Sequence, residues 1–181
     1  MKKISLSSLL IFALALTTLS ACGSGGGGNS STPPQPTTAV LTLSTAATAA
    51  IPASTVITGY DVTITLPAGV TVKSTTPPQT DAGVLVGTVN GAEEGTYMTA
   101  SYSPATGKVH IMVVSPKGNG FTAAGEFCKV NCDIAAGRHP TLTDFQQQPT
   151  FKARGINDPN GKPSTVDLTG QLALTVAAVI N

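Results

Sequence analysis

Between residues 39 and 181 apolar side chains recur at every second position, a period that confines the chain to strands with one face turned inward. The clearest run has Tyr60, Val62, Ile64 and Leu66 alternating with Asp61, Thr63 and Thr65, until Pro67-Ala68-Gly69 breaks it. Leu41 and Leu43 mark an earlier strand, Val70 and Val72 a short continuation, and Val84 to Thr88 another beyond Pro77-Pro78. Met98, Ala100 and Tyr102 lead into Ser103-Pro104-Ala105-Thr106-Gly107, and Val109, Ile111 and Val113 lead out, which predicts a hairpin with a Pro- and Gly-bearing loop. The stretch Gly120 to Phe127 opens a long strand in which Cys128, Val130, Cys132 and Ile134 share one face and Lys129, Asn131 and Asp133 the other. The polar segments Ala135 to Pro149 and Gly155 to Thr165 are expected as loops, and Leu172, Leu174 and Val176 close the chain as a last strand. The 19 Gly and 13 Pro, with abundant Thr, Ser and Val, favour short strands and turns, and no segment supports a helix longer than one turn. Two sheets packed face to face, holding about eight or nine strands, is the expected all-β sandwich.

Residues 1–38 follow a different rule. Met1-Lys2-Lys3 gives a positive start, Leu9 to Leu16 an apolar stretch of export-signal length, and Thr17 and Thr18 a turn to small polar residues. The stretch is too short for a membrane span. It is followed by Leu19-Ser20-Ala21-Cys22, which resembles the lipobox of bacterial lipoproteins. That resemblance implies a signal peptide over 1–21, a diacylglyceryl group on the Cys22 thiol and an outer-membrane address, since Gly23 rather than Asp follows the cysteine. The alternative is a soluble secreted protein cleaved near Ala21 with Cys22 as a free thiol. Residues 22–38, Gly-rich and then Pro-rich without a branched aliphatic or aromatic side chain, read as the tether of a domain over 39–181. Gly23, Gly25 and Gly28 match a dinucleotide-binding spacing, but no strand precedes them and no helix follows. Asn29-Ser30-Ser31 fits a glycosylation acceptor only by composition.

Charge excludes one class of partner. The chain carries 10 Lys plus Arg against 9 Asp plus Glu with no basic run, so nucleic acid is not expected. Cys128 and Cys132, four residues apart on a strand, lie about 13 Å apart, too far for a disulfide on regular geometry. Separate buried thiols are expected, with a disulfide across a bulge or metal ligation as the alternatives. His110 falls on the face opposite Val109 and Ile111, and His139 beside Pro140 in a loop; two isolated imidazoles make no zinc spacing. Asp158, Asn160 and Asp167 lie near a glycine turn but lack the ligand run of a calcium loop, and Glu93-Glu94 is an acidic pair in a Gly-rich turn. No nucleophile motif, phosphate loop or spaced acid pair appears. No enzyme activity, catalytic residue, cofactor or metal is therefore expected.

The order of the Leu41 to Leu43 strand, the Tyr60 strand running into Leu66-Pro67-Ala68-Gly69-Val70, the hairpin, and Gly120-Phe121 before Gly125-Glu126-Phe127 resembles a cohesin-type domain. The resemblance implies a jelly-roll or immunoglobulin-like β-sandwich of the superfamily shared by cohesins and certain carbohydrate-binding modules, covering residues 39–181. Cohesins bind a calcium-loaded dockerin through one sheet face, but no residue here matches a recognition motif, so the binding residues stay unknown. The expected function is recognition of another exported protein by a lipid-anchored envelope protein. A polysaccharide-binding module and a structural subunit of a surface assembly are the alternatives. Sugar binding commonly uses exposed aromatic rings, and the chain has no Trp and only Tyr60, Tyr97 and Tyr102 as tyrosines, with Tyr60 expected inward and Tyr97 outward.

Overall fold

The computed structural model describes residues 35–73, 85–87, 96–115, 120–121 and 125–181. The leader, Cys22, the Asn29 acceptor and the Glu93-Glu94 pair lie outside the described residues. Among the described residues ten strands form two sheets: β1 (Thr38–Ala47), β2 (Thr55–Thr65), β3 (Val70–Val72), β4 (Leu85–Gly87), β5 (Tyr97–Ser103), β6 (Lys108–Val114), β7 (Gly125–Ile134), β8 (Thr150–Asn157), β9 (Ser164–Asp167) and β10 (Leu172–Ile180). The first sheet runs β10-β1-β7, with β3 and β4 both paired to the far edge of β7. The second runs β5-β6-β2-β8-β9, and every pairing is antiparallel. The protein is a two-sheet β-sandwich, as the alternation predicts.

Alternation explains most of the core. Leu41, Leu43 and Val130 face inward from the first sheet, and Tyr60, Val62, Val109, Ile111 and Val113 from the second, all fully buried. The hairpin forms as expected, with Ser103 opposite Lys108 and a Pro104–Gly107 turn. The run from Tyr60 to Val72 does not stay in one sheet. After Leu66 the chain turns through Pro67-Ala68-Gly69, where Gly69 takes a positive φ of 82° and Val70 N–H donates to the Pro67 carbonyl at 3.0 Å, and β3 enters the opposite sheet.

Two β-bulges turn additional side chains inward. In β7, Cys128 pairs with Leu43 and Glu126 with Ser44, so Phe127 is the extra residue. Strict alternation from Cys128 would leave Phe127 outside; the bulge buries both. In β2, Thr58 is extra between Ile57 and Gly59, so Ile57 and Tyr60, three apart, share the inner face. The two bulges meet at Tyr60, whose ring lies 5.2 Å from Phe121 and 4.9 Å from Phe127, centroid to centroid.

Two expectations change. The strand expected to open at Gly120 begins at Gly125, while Phe121 forms a separate bridge to Ile57, its N–H donating to the Ile57 carbonyl at 2.7 Å. The segment from Gly155 to Thr165 is not all loop: β8 continues through Gly155 to Asn157, and β9 returns from Ser164. The inward positions of β8 include Ala153 and Gly155 while Ile156 points out, so hydropathy alone hides the strand. Gly155 is required by space, because a Cβ there would stand 2.7 Å from Leu168 Cδ1 and 2.8 Å from the Val56 carbonyl oxygen. Replacing Gly155 by Ala is expected to lower unfolding free energy by about 1–3 kcal/mol, read as a lower urea midpoint with unchanged slope.

Candidate functional site

The outer face of the second sheet is built by the same parity that fills the core. With Tyr60, Val62 and Ile64 inward, Asp61, Thr63 and Thr65 of β2 point out. Register then sets their neighbours in cross-strand rows. One row runs Tyr97, Val114, Gly59, Arg154, Asp167 across β5, β6, β2, β8 and β9. The next runs Thr99, Met112, Asp61, Lys152, and a third Ser101, His110, Thr63, Thr150. Tyr97 is 62% exposed and Met112 38%, which makes them, with Arg154 and Lys152, the prominent side chains of the face. Gly59 contributes no side chain, so its row dips between Val114 and Arg154. Tyr97 lies one strand beyond Val114, three strand spacings from Arg154, roughly 14 Å.

The charges are ordered by the same register. His110 Nε2 and Asp61 Oδ1 are 2.8 Å apart, diagonally across β6 and β2, with both side chains near half exposed. An ionised carboxylate only accepts, so Nε2 carries the hydrogen and Nδ1 is left as the ring's other polar atom. Asp61 also stands directly opposite Lys152, and Arg154 directly opposite Asp167. The Asp167 carboxyl is held below the ordinary carboxylate range, first by the Thr169 hydroxyl, then by the Thr169 N–H at 2.9 Å, and lastly by the nearby Arg154 and Lys152 charges. Lys108, Lys152 and Arg154 against Asp61 and Asp167 leave the face weakly cationic. On the first sheet, Val40, Thr42, Ser44, Ala173, Thr175, Ala177 and Val179 stand outward from β1 and β10, all uncharged, beside Lys129 and Asp133 of β7, with Lys129 Nζ 3.7 Å from Glu126 Oε2.

The structure separates the chemistry-bearing residues of the sequence. Asp158 and Asn160 sit at the tip between β8 and β9, whereas Asp167 lies at the far end of β9 beside Arg154, so the three do not share a turn. His139 is exposed in the turn after β7, on a different segment from His110. Among the described residues no three His, Cys, Asp or Glu side chains group as metal ligands. Cys128 and Cys132 are separate, buried free thiols on the inner face of β7. Sequence reasoning did not find Lys152 and Arg154 as members of the face, because their strand was itself concealed. The signal was present in Phe151, Ala153 and Gly155 alternating with Lys152, Arg154 and Ile156.

The fold and this surface define a β-sandwich whose second sheet carries a mixed polar, charged and apolar outer face. Comparison with known proteins finds no matching family model, no matching curated protein and no matching solved structure.

Burial pushes both thiols up to about 12, with Asp133 adding to the effect at Cys132. Below the ordinary thiol value near 9.0 both folded and unfolded chains are protonated, and the full stability is present. Above it the unfolded chain ionises and the folded one does not, so stability falls as pH rises from about 9 toward 12. Denaturant midpoints taken across this window should decline for the wild type and decline less for C128A/C132A. Neither thiol should react with a thiol reagent at neutral pH until the protein is unfolded.

Proposed function

We propose that the chain is a bacterial envelope lipoprotein whose sandwich recognises another exported protein through the outer face of the second sheet. In this reading Cys22 carries the lipid, the tether ends before Gln35, whose side chain bonds the Ala135 carbonyl ahead of β1, and the domain is of the cohesin-like jelly-roll type. The observation that carries the recognition step is the row that places exposed Tyr97 and Arg154 on one face, with the side-chain gap at Gly59 beside Arg154 and Met112 in the adjoining row. Tyr and Arg supply large contact area and directional hydrogen bonds, and are enriched among the residues that dominate protein interfaces. Met112 adds an adaptable apolar contact. The surrounding Thr, Ser and charged side chains form a polar rim.

A stacking platform for sugar rings is less well supported. Tyr60, Tyr102, Phe121, Phe127 and Phe145 are buried and Phe151 is partly buried, so Tyr97 is the prominently exposed ring among the described aromatic residues. The lipid anchor rests on the Leu19-Ser20-Ala21-Cys22 motif and the preceding apolar stretch. Two acyl chains or more would hold the protein on a membrane, at about 0.8 kcal/mol per buried methylene.

Two experiments test this reading. The full chain, immobilised and exposed to the host's envelope and secreted fractions with and without a calcium chelator, should retain a protein that Y97A/R154A retains about 30-fold less well or worse. Retention of polysaccharide without protein, or retention indifferent to Y97A/R154A, overturns the proposed face. Separately, the wild type should incorporate labelled fatty acid and fractionate with membranes, and C22S should do neither. A wild type without lipid label refutes the anchor.

A further inference from the structure

Strand β10 is nine residues long, Leu172 to Ile180, and its sequence Leu-Ala-Leu-Thr-Val-Ala-Ala-Val-Ile contains neither a charge nor a proline. Among the described residues it is an edge strand, paired with β1 on one side. The ladder fixes which backbone groups are used. Asn181 and Thr38 exchange both hydrogen bonds, Asn181 N–H to the Thr38 carbonyl at 2.9 Å and Thr38 N–H to the Asn181 carbonyl at 3.1 Å, and Thr48 N–H donates to the Gln171 carbonyl at 2.9 Å. By antiparallel alternation the odd-numbered residues of β10 bond β1. The N–H and C=O groups of Leu172, Leu174, Val176, Ala178 and Ile180 therefore point away from the sheet, and among the described residues no backbone group is found bonded to them.

Of the other edges, β3, β4 and β9 are three or four residues long and β9 ends on Asp167, while β5, seven residues from Tyr97 to Ser103, also lacks charge and proline but is shorter than β10. Natural sheets usually protect long edges with lysine, proline or a bulge, none of which β10 has. Its inner side is also incompletely covered. Leu174, Val176, Ala178 and Ile180 are only partly buried, although the 3₁₀ turn Leu142–Gln146 packs against the strand, and Leu142 on that turn is 55% exposed; on the outer side Val179 is 58% exposed. Between that turn and the strand a cleft of about 210 Å³ opens, lined by Gln146, Pro149, Leu174, Thr175 and Val176.

We propose that the β10 edge is a self-association site, occupied by β10 of a second copy of this chain in antiparallel register about a two-fold axis at Val176. The strand is its own complement about that point. Leu174 faces Ala178 of the second copy, Ala173 faces Val179, Leu172 faces Ile180, and Thr175 faces Ala177, so larger side chains meet smaller ones at the inner and outer positions beside the axis. The absence of charge over the whole strand means that the two copies bring no like charges together. The register also pairs even-numbered residues with even-numbered ones, so the free N–H and C=O groups of each copy meet those of the other. An axis perpendicular to the sheet keeps both inner faces on one side, and the contact is isologous and closes as a dimer. The cleft lies beside the axis, where Val176 and Ala178 of the second copy enter.

The test uses the full chain in detergent, with protein mass measured by light scattering across a concentration series. Thr175 and Ala177 are exposed on the outer face, so T175K/A177K and T175E/A177E leave the core untouched. The wild type should dimerise. Each charged variant should weaken the dimer by about 100-fold or more, because like charges then stand directly opposite one another, and an equimolar mixture of the two variants should restore it as a heterodimer. A178P supplies a second probe, since it removes an outward N–H while sparing the β1 ladder, and should also yield a folded monomer. Circular dichroism and the melting midpoint establish that each variant is folded. A wild type monomeric at every concentration, or an association that the charged variants leave unchanged, overturns the proposal.

Discussion

Tyr60 brings a phenol into an apolar interior, and the arrangement that accommodates it sets the geometry of the whole sandwich. A buried hydroxyl without a partner costs about 1–3 kcal/mol. Here Thr45, itself buried in the opposite sheet, places its Oγ1 3.5 Å from the Tyr60 hydroxyl, a long but inter-sheet contact. Burial raises the Tyr60 pKa above the ordinary phenol range, and the Thr45 hydrogen bond partly offsets the rise. Around the ring stand Phe121, Phe127 and Phe151, from three other parts of the chain. Phe127 gets there only through the β7 bulge, and Ile57 joins the same face only through the β2 bulge. These bulges are therefore part of the core design, since removing either one-residue insertion would put a large apolar side chain in water.

The consequences reach the surface because a strand has only two faces. Holding Tyr60 inward sends Asp61 outward, where it meets His110 and Lys152; holding Val113 inward sends Met112 outward. The outer face of the second sheet is in this sense the reverse side of the core. A substitution that slipped β2 by one residue would dismantle both at once, exposing Tyr60 and burying Asp61.

Much of this was legible in the sequence and some of it was not, for identifiable reasons. The Tyr60 to Leu66 run and the Met98 to Val113 hairpin carry strict alternation with a turn between, so their existence and their inward residues, Tyr60 and Tyr102 included, follow from periodicity. The exposure of Tyr97 follows likewise. The β8 strand was concealed because close packing against Leu168 and Val56 demands glycine at an inward position. Bulges were invisible because one inserted residue breaks the very parity used to read a strand. Above all, the pairing of β2 with β8 joins residues about a hundred positions apart, as between Gly59 and Arg154. Local pattern says which way a side chain points, but not which distant strand lies beside it, so the row linking Tyr97, Gly59 and Arg154 emerges only from the three-dimensional register.

The two proposed contact regions are geometrically compatible. Pairing through β10 extends the first sheet sideways and leaves the outer face of the second sheet uncovered. Because the two-fold axis is perpendicular to the first sheet, both copies of the second sheet lie on the same side of the joined one, and their recognition faces point in a common direction. A partner that presents repeated epitopes would then meet two faces at once, and the second contact would form at the effective concentration set by the dimer rather than by free diffusion. A face of modest area, held together by one tyrosine, one arginine and a polar rim, gains most from such pairing, since avidity can exceed the affinity of a single contact by about 10²–10⁴. On the two proposals together, the uncharged β10 edge and the weakly cationic outer face would divide the work by chemistry: backbone hydrogen bonding between like copies at the edge, side-chain recognition of an unlike partner on the face.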